Sequence, residues 1–202
     1  MNHAKLVNGD WWPDRDKTCH RVAYNFKGCE AAIGRCKKLD LVIQAGGNVG
    51  AWPKYLKKIF KEVYTFEPSA ENFMLLMKNI EGLGIIAAYA ALGKESGKCE
   101  IKKNPWNCGD DQTLPSIQGV EVVSIDSLNM NPDLIYLDIQ GDEQEALVGG
   151  RETIERCSPV IAVEVDRKML KARDKADPVE WLVALGYVQT GKHGQDFIFE
   201  RD

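Results

Sequence analysis

From Asp40 onward, apolar runs alternate with amphipathic segments. The first run, 40–45, is followed by a glycine turn at 46–50. After the turn, apolar side chains recur about every 3.6 residues, the spacing of one helical face, at Trp52, Tyr55, Leu56, Ile59 and Phe60. A second apolar run, 63–67, closes this unit. The pattern therefore predicts a strand, a glycine turn, a helix from about 51 to 62, and a second strand parallel to the first.

The same alternation continues toward the carboxyl end of the chain. The other predicted strands are 85–90, 98–102, 120–123, 134–139 and 159–165, together with a terminal antiparallel pair at 186–188 and 196–200. The other predicted helices start after Ser69 and at 143 and 178, the last two ending at 157 and 185, and an irregular loop is predicted at about 104–115. This order favours an α/β fold, a mostly parallel sheet with helices on both faces.

Residues 1–37 differ from this pattern. They hold a cluster of Trp11, Trp12 and Pro13, followed by a helical pattern at about 21–37. We expect them to form an N-terminal helical leader, or lid, over a domain that spans 38–202. The two tryptophans either stack on a ligand or pack the leader against the sheet.

Composition argues against several classes of partner. With 26 Lys and Arg against 30 Asp and Glu, the formal net charge is −4, which argues against nucleic acid. No segment approaches the roughly 18 apolar residues of a membrane span, and the first ten residues lack a signal-peptide core, so we expect a cytoplasmic protein without a membrane partner. The six cysteines form no C-x-x-C pair, so we expect free thiols and no zinc site.

The glycine turn and the acid that follows the second strand carry the first chemical signal. A glycine turn between a strand and a helix lets a ligand approach the backbone at the positive end of the helix. Glu67, about 20 residues further on, suits two ribose hydroxyls. The turn reads G-x-x-x-G, which is neither the dinucleotide pattern G-x-G-x-x-G nor a phosphate-binding P-loop. We therefore predict a nucleoside-containing cofactor other than a nicotinamide dinucleotide.

Five motifs follow one another in the order of a known family. They are IQAGGNVG at 43–50, FEP at 66–68 with Asn72 nearby, ALG at 91–93, LDIQGDE at 137–143 and VE at 163–164. This series resembles FkbM-type methyltransferases, class I enzymes that use S-adenosylmethionine. The resemblance implies a Rossmann-like, mostly parallel seven-stranded sheet whose last strand is antiparallel. It also implies methyl transfer to an oxygen of a sugar or another small acceptor, with S-adenosylhomocysteine as the product.

The resemblance also implies roles for individual residues. The implied cofactor-binding residues are Gln44, Gly46, Gly47, Asn48, Gly50, Glu67, Pro68, Ser69, Ala91 and Asp138. Asp138 is the first candidate for a general base and Glu164 the second. A divalent metal held by Asp138, Glu164 and a loop acid is a further option. The small-molecule or glycan acceptor is expected to contact the leader and residues 104–117.

Two positions depart from the family pattern. The family usually has an acid where this chain has Gln44, and a glutamate where it has Gln140. A neutral amide is a weaker hydrogen-bond acceptor than a carboxylate, so a lower cofactor affinity is expected. The alternative function is therefore a methyltransferase-like module that binds S-adenosylmethionine or S-adenosylhomocysteine without efficient turnover.

Overall fold

The computed structural model describes residues 3–201. Its strands are β1 (Ala4–Val7), β2 (Asp10–Pro13), β3 (Leu41–Ala45), β4 (Glu62–Phe66), β5 (Ile86–Ala88), β6 (Ala90–Leu92), β7 (Gly97–Lys102), β8 (Gln112–Ser116), β9 (Val120–Val123), β10 (Leu134–Leu137), β11 (Val160–Glu164), β12 (Val188–His193) and β13 (Asp196–Glu200). Its helices are α1 (Cys19–Val22), α2 (Lys27–Ile33), α3 (Ala51–Lys57), α4 (Ala70–Asn79), α5 (Glu143–Val148), α6 (Arg151–Cys157), α7 (Arg167–Arg173) and α8 (Pro178–Ala184), with short 3₁₀ turns at Cys108–Asp110 and Asp126–Leu128.

A seven-stranded sheet forms the centre of the fold. Its strand order is β12-β13-β11-β10-β3-β4-β5. Strand β13 runs antiparallel to both of its neighbours, whereas the pairs from β11 to β5 are parallel. The fold class predicted from the sequence is therefore confirmed. The order reverses beside β3, so the carboxyl ends of β3 and β10 border a crevice, the usual ligand position in open α/β sheets.

The central strands are apolar because both of their faces are covered. In β10, Ile135 and Leu137 pack in one core cluster, and Leu134 and Tyr136 pack in the cluster on the opposite face. All four side chains are buried. A strand that is buried on both faces reads as a continuous apolar run, which is why the sequence marked this strand clearly. No helix within residues 3–201 has the length and apolar character to cross a membrane.

A second sheet, of four strands in the order β6-β9-β7-β8, lies beside the first. It corrects two sequence predictions. The expected strand at 85–90 is split at Tyr89, so that β5 joins the central sheet and β6 the second sheet. The expected loop at 104–115 contains β8, which pairs antiparallel with β7. Strand β8 reads Gln-Thr-Leu-Pro-Ser, and this polar pattern with a proline gives little strand signal.

The leader contains a β1-β2 hairpin and two short helices, which corrects the expected continuous helix at 21–37. The chain leaves helical geometry between α1 and α2 because two aromatic side chains there make tertiary contacts. Tyr24 donates a hydrogen bond to Asp10 over 2.8 Å, and the ring of Phe26 stacks on Tyr55 at 4.2 Å. Trp12 is fully buried in a cluster with residues of the glycine turn and α4, so it packs the leader against the domain.

The single helix expected at 143–157 is also divided, into α5 and α6. Gly149 and Gly150 separate the two helices, and a Cβ atom at Gly149 would lie 2.1 Å from the carbonyl oxygen of Gly93. Glycine is therefore needed here for the close approach of the second sheet. The sequence prediction also lacked α7, whose first turn is capped by the Asp166 carboxylate.

Candidate active site

A cavity of about 230 Å³ lies at the carboxyl ends of the central strands. Its base is formed by the glycine turn after β3 and by the residues that follow β4 and β10. Its roof comes from the leader and from residues 107–111. The implied site residues that line it are Gly46, Asn48, Glu67, Pro68, Ala91, Asp138 and Glu164. The fold thus brings together residues from five separate segments of the sequence.

The glycine turn is shaped by close backbone approach. Gly46 has φ +85°, and a Cβ atom there would lie 1.9 Å from the backbone oxygen of Asp138. The N–H groups of Gly46 and Gly47 donate to the carbonyl of Phe66 over 3.1 and 2.9 Å. A side chain at Gly46 would therefore separate the turn from the end of β10. Glycine here sets the spacing between the two halves of the cavity.

Glu67 is buried at the tip of β4. Its carboxylate accepts the N–H of Asn48 over 2.7 Å and the N–H of Ser69 over 2.8 Å. Burial raises the pKa of Glu67 to about 8, and the two backbone hydrogen bonds oppose that rise. Each carboxylate oxygen can accept more than one hydrogen bond, so Glu67 retains capacity for two hydroxyl donors from the cavity.

Asn72, in α4, is a cavity residue to which the sequence reasoning gave no site role. Its Nδ2 donates to the carbonyl of Cys108 over 2.9 Å, while its buried Oδ1 has no hydrogen-bond partner within residues 3–201. A buried acceptor without a partner is costly, so it marks a place where a ligand donor fits. The motif in which Asn72 stands three residues after Ser69 was the only sequence signal for it.

Asp138 and Glu164 form a carboxyl pair that is bridged by Gln140. Gln140 Nε2 donates to Asp138 Oδ1 over 3.0 Å and to Glu164 Oε2 over 3.2 Å. The charge of Asp138, followed by burial, raises the pKa of Glu164 to about 10, and burial raises the pKa of Asp138. Two carboxyl groups this strongly linked share a proton at neutral pH. The geometry thus supplies one carboxylate and one carboxylic acid to the cavity.

The backbone that carries this bridge is unusual. Gln140 has φ +58°, a conformation that non-glycine residues seldom adopt. Glu143, at the start of α5, holds the turn by accepting the N–H of Ile139 over 2.9 Å and that of Gly141 over 3.2 Å. Backbone strain of this kind concentrates at functional sites.

Within residues 3–201, Asp138 and Glu164 are not grouped with a third metal-ligating side chain.

Four of the residues expected to bind the cofactor, Gln44, Gly47, Gly50 and Ser69, do not line the cavity. Gln44 is buried within the sheet, where its Oε1 accepts from the hydroxyl of Thr65 and its Nε2 donates to the carbonyl of Ala45. This position removes the reason for linking Gln44 to reduced cofactor affinity. The other three lie outside the cavity lining and shape the backbone beside it. Gly47 and Gly50 belong to the glycine turn, and Ser69 precedes α4.

We expect Gln44→Asp to destabilise the protein without strengthening cofactor binding. The shorter, charged side chain would lose the bond to Ala45 and leave a buried carboxylate short of donors, which costs about 1–3 kcal/mol of unfolding free energy. Urea unfolding and calorimetry with S-adenosylhomocysteine measure the two effects, with the isosteric Gln44→Glu as the matched variant. Tighter binding by Gln44→Asp would return this residue to the cofactor site.

Two kinds of comparison agree with this geometry. The family model for the methyltransferase FkbM domain matches residues 44–194. A methyltransferase FkbM from Methylobacillus flagellatus KT superimposes with a TM-score of 0.56 at 18% identity, covering 79% of this chain and 43% of that one. A ribosomal protein L11 methylase from Lactobacillus delbrueckii subsp. bulgaricus has a TM-score of 0.51 at 12% identity, covering 100% and 83%. No protein with a curated description matches significantly.

The central sheet and its crevice define a Rossmann-like class I methyltransferase fold. Within that class, the chain belongs to the methyltransferase FkbM domain family, whose members depend on S-adenosylmethionine. The chain spans less than half the length of the FkbM structure that it resembles.

Proposed function

We propose that the protein transfers the methyl group of S-adenosylmethionine to a hydroxyl oxygen of a sugar or another small acceptor. The observation that carries this proposal is the half-buried pair of Asp138 and Glu164, which faces the same cavity as Glu67. Proton removal from a hydroxyl needs an ionised carboxylate close to the methyl donor.

The cavity residues fit the cofactor. Glu67 has acceptor capacity for the two ribose hydroxyls, and Asn72 Oδ1 is a free acceptor for the amino group of an adenine base. Gly46 and Asn48 line the same cavity, where the methionine part would pass close to the backbone of the glycine turn. The cofactor supplies an electrophilic methyl group on a positively charged sulfur, which nearby carboxylates would stabilise electrostatically.

The two carboxyl groups would have different roles in proton transfer. The charge of Asp138, followed by burial, raises the pKa of Glu164 to about 10, so we assign the shared proton at neutral pH to Glu164 and the negative charge to Asp138. Asp138 would then accept the proton of the acceptor hydroxyl, and Gln140 would hold both carboxyl groups in place. Most of the rate enhancement would come from alignment of acceptor and methyl group, which the rigid strand ends favour.

Charge in the cavity favours a neutral acceptor. Besides the carboxyl pair, the acids Asp110, Asp111 and Asp142 belong to its lining. Asp111 and Asp142 are paired, with Arg15 at 2.6 Å and with Lys175 at 2.7 Å. A phosphorylated or carboxylated acceptor would meet unfavourable charge here, whereas a polyhydroxylated neutral compound would find several hydrogen-bond acceptors. This supports a sugar-like acceptor rather than a nucleic acid.

The test is transfer of a labelled methyl group to fractionated pools of glycans and small hydroxyl compounds. We expect label on an oxygen of a neutral acceptor, and transfer by Asp138→Asn protein that is about 10²–10⁴-fold slower under the same conditions. Labelling of RNA, of protein or of amine nitrogen would contradict the proposed acceptor. Binding of S-adenosylhomocysteine without transfer to any pool would favour the non-catalytic module, for which the occupation of both carboxyl groups by Gln140 is the supporting observation.

We expect Glu67→Gln to weaken S-adenosylhomocysteine binding by about 10–100-fold, since hydrogen bonds to a charged group contribute about 1.5–3 kcal/mol. The pKa of Glu67, about 8, adds a pH signature. Hydroxyl donors favour the charged form, so wild-type affinity should rise as pH increases toward 8, by at most about tenfold per unit. Calorimetry at several pH values should show this slope in wild-type protein and not in Glu67→Gln.

Glu62→Gln is the matched control for that variant. Glu62 begins the same strand and is exposed. The Glu62→Gln protein should therefore bind S-adenosylhomocysteine with the affinity and the pH dependence of the wild type. Unchanged affinity in Glu67→Gln would mean that the ribose is bound elsewhere.

A further inference from the structure

Three metal-ligating side chains meet in the roof of the cavity. Asp16 follows the β1-β2 hairpin, Cys19 begins α1, and Cys108 lies in the 3₁₀ turn that covers the opposite side. One ligand atom from each lies within 4.8 Å of the other two, and all three residues are buried. The cysteines are far apart in the sequence, so their spacing gave no indication of a shared site. It is the folding of the leader over the cavity that brings them together.

The backbone around these residues is fixed before any ligand binds. Asp16 Oδ1 accepts the N–H of Cys19 over 3.0 Å and the N–H of Cys108 over 3.3 Å. The other oxygen, Oδ2, contacts His20 Nδ1 at 2.6 Å and accepts the His20 N–H over 3.1 Å. One carboxylate thus positions both cysteines, and a second residue orients that carboxylate. Outer contacts of this kind are typical of metal sites, where they hold the ligands in geometry.

Asn48 links the two sulfur atoms to the glycine turn. Asn48 donates from Nδ2 to Cys19 Sγ over 3.1 Å, and its Oδ1 accepts from Cys108 Sγ over 3.4 Å. A Cβ atom at Gly109 would lie 2.8 Å from Cys19 Sγ, so a larger residue here would displace the thiol. Asn48 also donates its backbone N–H to Glu67.

We propose that Cys19, Cys108 and Asp16 bind a thiophilic divalent cation, Zn²⁺. Two thiolates and one carboxylate form a donor set that zinc accepts in tetrahedral geometry, and thiolates select it over Mg²⁺ or Ca²⁺. The Asn48 carboxamide oxygen, or a solvent molecule on the cavity side, completes the four ligands. The ion joins the leader to residues 107–111 and so stabilises the roof of the cavity. This proposal concerns the roof and does not depend on the acceptor or on methyl transfer.

The test uses the full chain, freshly reduced and freed of metal, and adds Zn²⁺ or Co²⁺ alone. Native mass spectrometry should show one ion per chain. Co²⁺ should give the intense near-ultraviolet charge-transfer band of thiolate ligation, and Zn²⁺ should remove that band by displacement. Zn²⁺ should also raise the unfolding temperature, because it binds the folded state.

Cys108→Ser and Cys19→Ser should each lose the cobalt band and weaken Zn²⁺ binding by at least about 100-fold. Cys157→Ser is the matched control, since Cys157 is a half-buried free thiol remote from the roof, and it should bind as the wild type does. Near-ultraviolet circular dichroism of each variant establishes that it is folded.

The wild-type protein alone can overturn the proposal, whether or not the variants fold. Absence of a thiolate–cobalt band and of a bound ion in reduced protein would do so. So would a chain that acquires a Cys19–Cys108 disulfide in air and still binds no metal after reduction. A band that persists in both serine variants would place the metal elsewhere and would equally exclude this site.

Discussion

Replacing Gly46 by alanine is expected to abolish S-adenosylhomocysteine binding and to destabilise the protein by more than about 3 kcal/mol. The left-handed backbone alone costs about 1–2 kcal/mol for a residue with a Cβ atom. The larger part comes from collision, since that atom would lie 1.9 Å from the backbone oxygen of Asp138. Relief of the contact requires the glycine turn and the end of β10 to move apart, which opens the cavity at its base.

Gly82→Ala separates the two contributions. Gly82 has φ +74°, close to that of Gly46, yet nothing lies within 4 Å of the position its Cβ atom would take. It should therefore show the conformational cost alone, with normal ligand binding. Urea unfolding and calorimetry measure both variants. Equal losses of stability in the two, or ligand binding by Gly46→Ala, would contradict the role assigned to the contact with Asp138.

The central sheet could be predicted because its physical requirements act on short stretches of sequence. Strands β3, β10 and β11 are apolar on both faces, and the stripe on α3 follows from packing of that helix on the sheet. The second sheet gave a weaker signal. Its strand β8 is polar and half-exposed, and its pairing with β7 depends on a partner that local propensity does not reveal.

The site was predictable to the extent that its residues stand at strand ends. Glu67, Asp138 and Glu164 each end or follow a strand of the parallel sheet, and such positions meet at one edge. Asn72 and the group of Asp16, Cys19 and Cys108 could not be assigned in this way. Their proximity is set by how the leader and the 107–111 segment close over the sheet, a tertiary relation without a fixed sequence spacing.

The two glutamines that depart from the family pattern show why position matters more than residue type. In the sequence, Gln44 and Gln140 support the same interpretation, a loss of negative charge at the cofactor site. In the structure, Gln44 is bonded inside the sheet, whereas Gln140 lies in the cavity between two carboxyl groups. Under the proposed function, Gln140 is therefore the glutamine that would affect catalysis directly, since it hydrogen-bonds both Asp138 and Glu164.

Asp138→Asn is expected to lower kcat by about 10²–10⁴-fold, the usual contribution of a positioned general base, with a much smaller effect on S-adenosylhomocysteine affinity. The variant keeps the shape of the side chain and can still hydrogen-bond Gln140, but it cannot accept a proton. Glu164→Gln should reduce kcat less, because Glu164 holds the shared proton in the resting pair. An equal or larger loss in Glu164→Gln would reverse the assignment of base and acid.

The pair also has a signature that needs no acceptor. The pKa of Glu164 is raised from 4.5 to about 10, and the charge of Asp138 is the first cause. The folded state therefore binds this proton more tightly than the unfolded chain, so stability from the pair is complete below pH 4.5 and is lost as pH rises toward 10. Other groups lose stability in the same range: Glu67 has a pKa of about 8, and burial raises the pKa of the Cys29, Cys36 and Cys99 thiols. The part of the fall that belongs to Glu164 is therefore the difference between the wild type and a variant that lacks the charge of Asp138.

Asp138→Asn removes the main cause of that shift, so the pKa of Glu164 should drop and the fall in stability between pH 8 and 10 should be smaller than in the wild type. Chemical unfolding at a series of pH values measures this, with Glu62→Gln as the control that keeps the wild-type slope. A slope in Asp138→Asn that equals the wild-type slope would mean that the two carboxyl groups do not share a proton. In that case Asp138 would still be an ionised carboxylate, but Glu164 would not hold a proton beside it. The general acid and the general base would then have to be sought among other residues of the cavity.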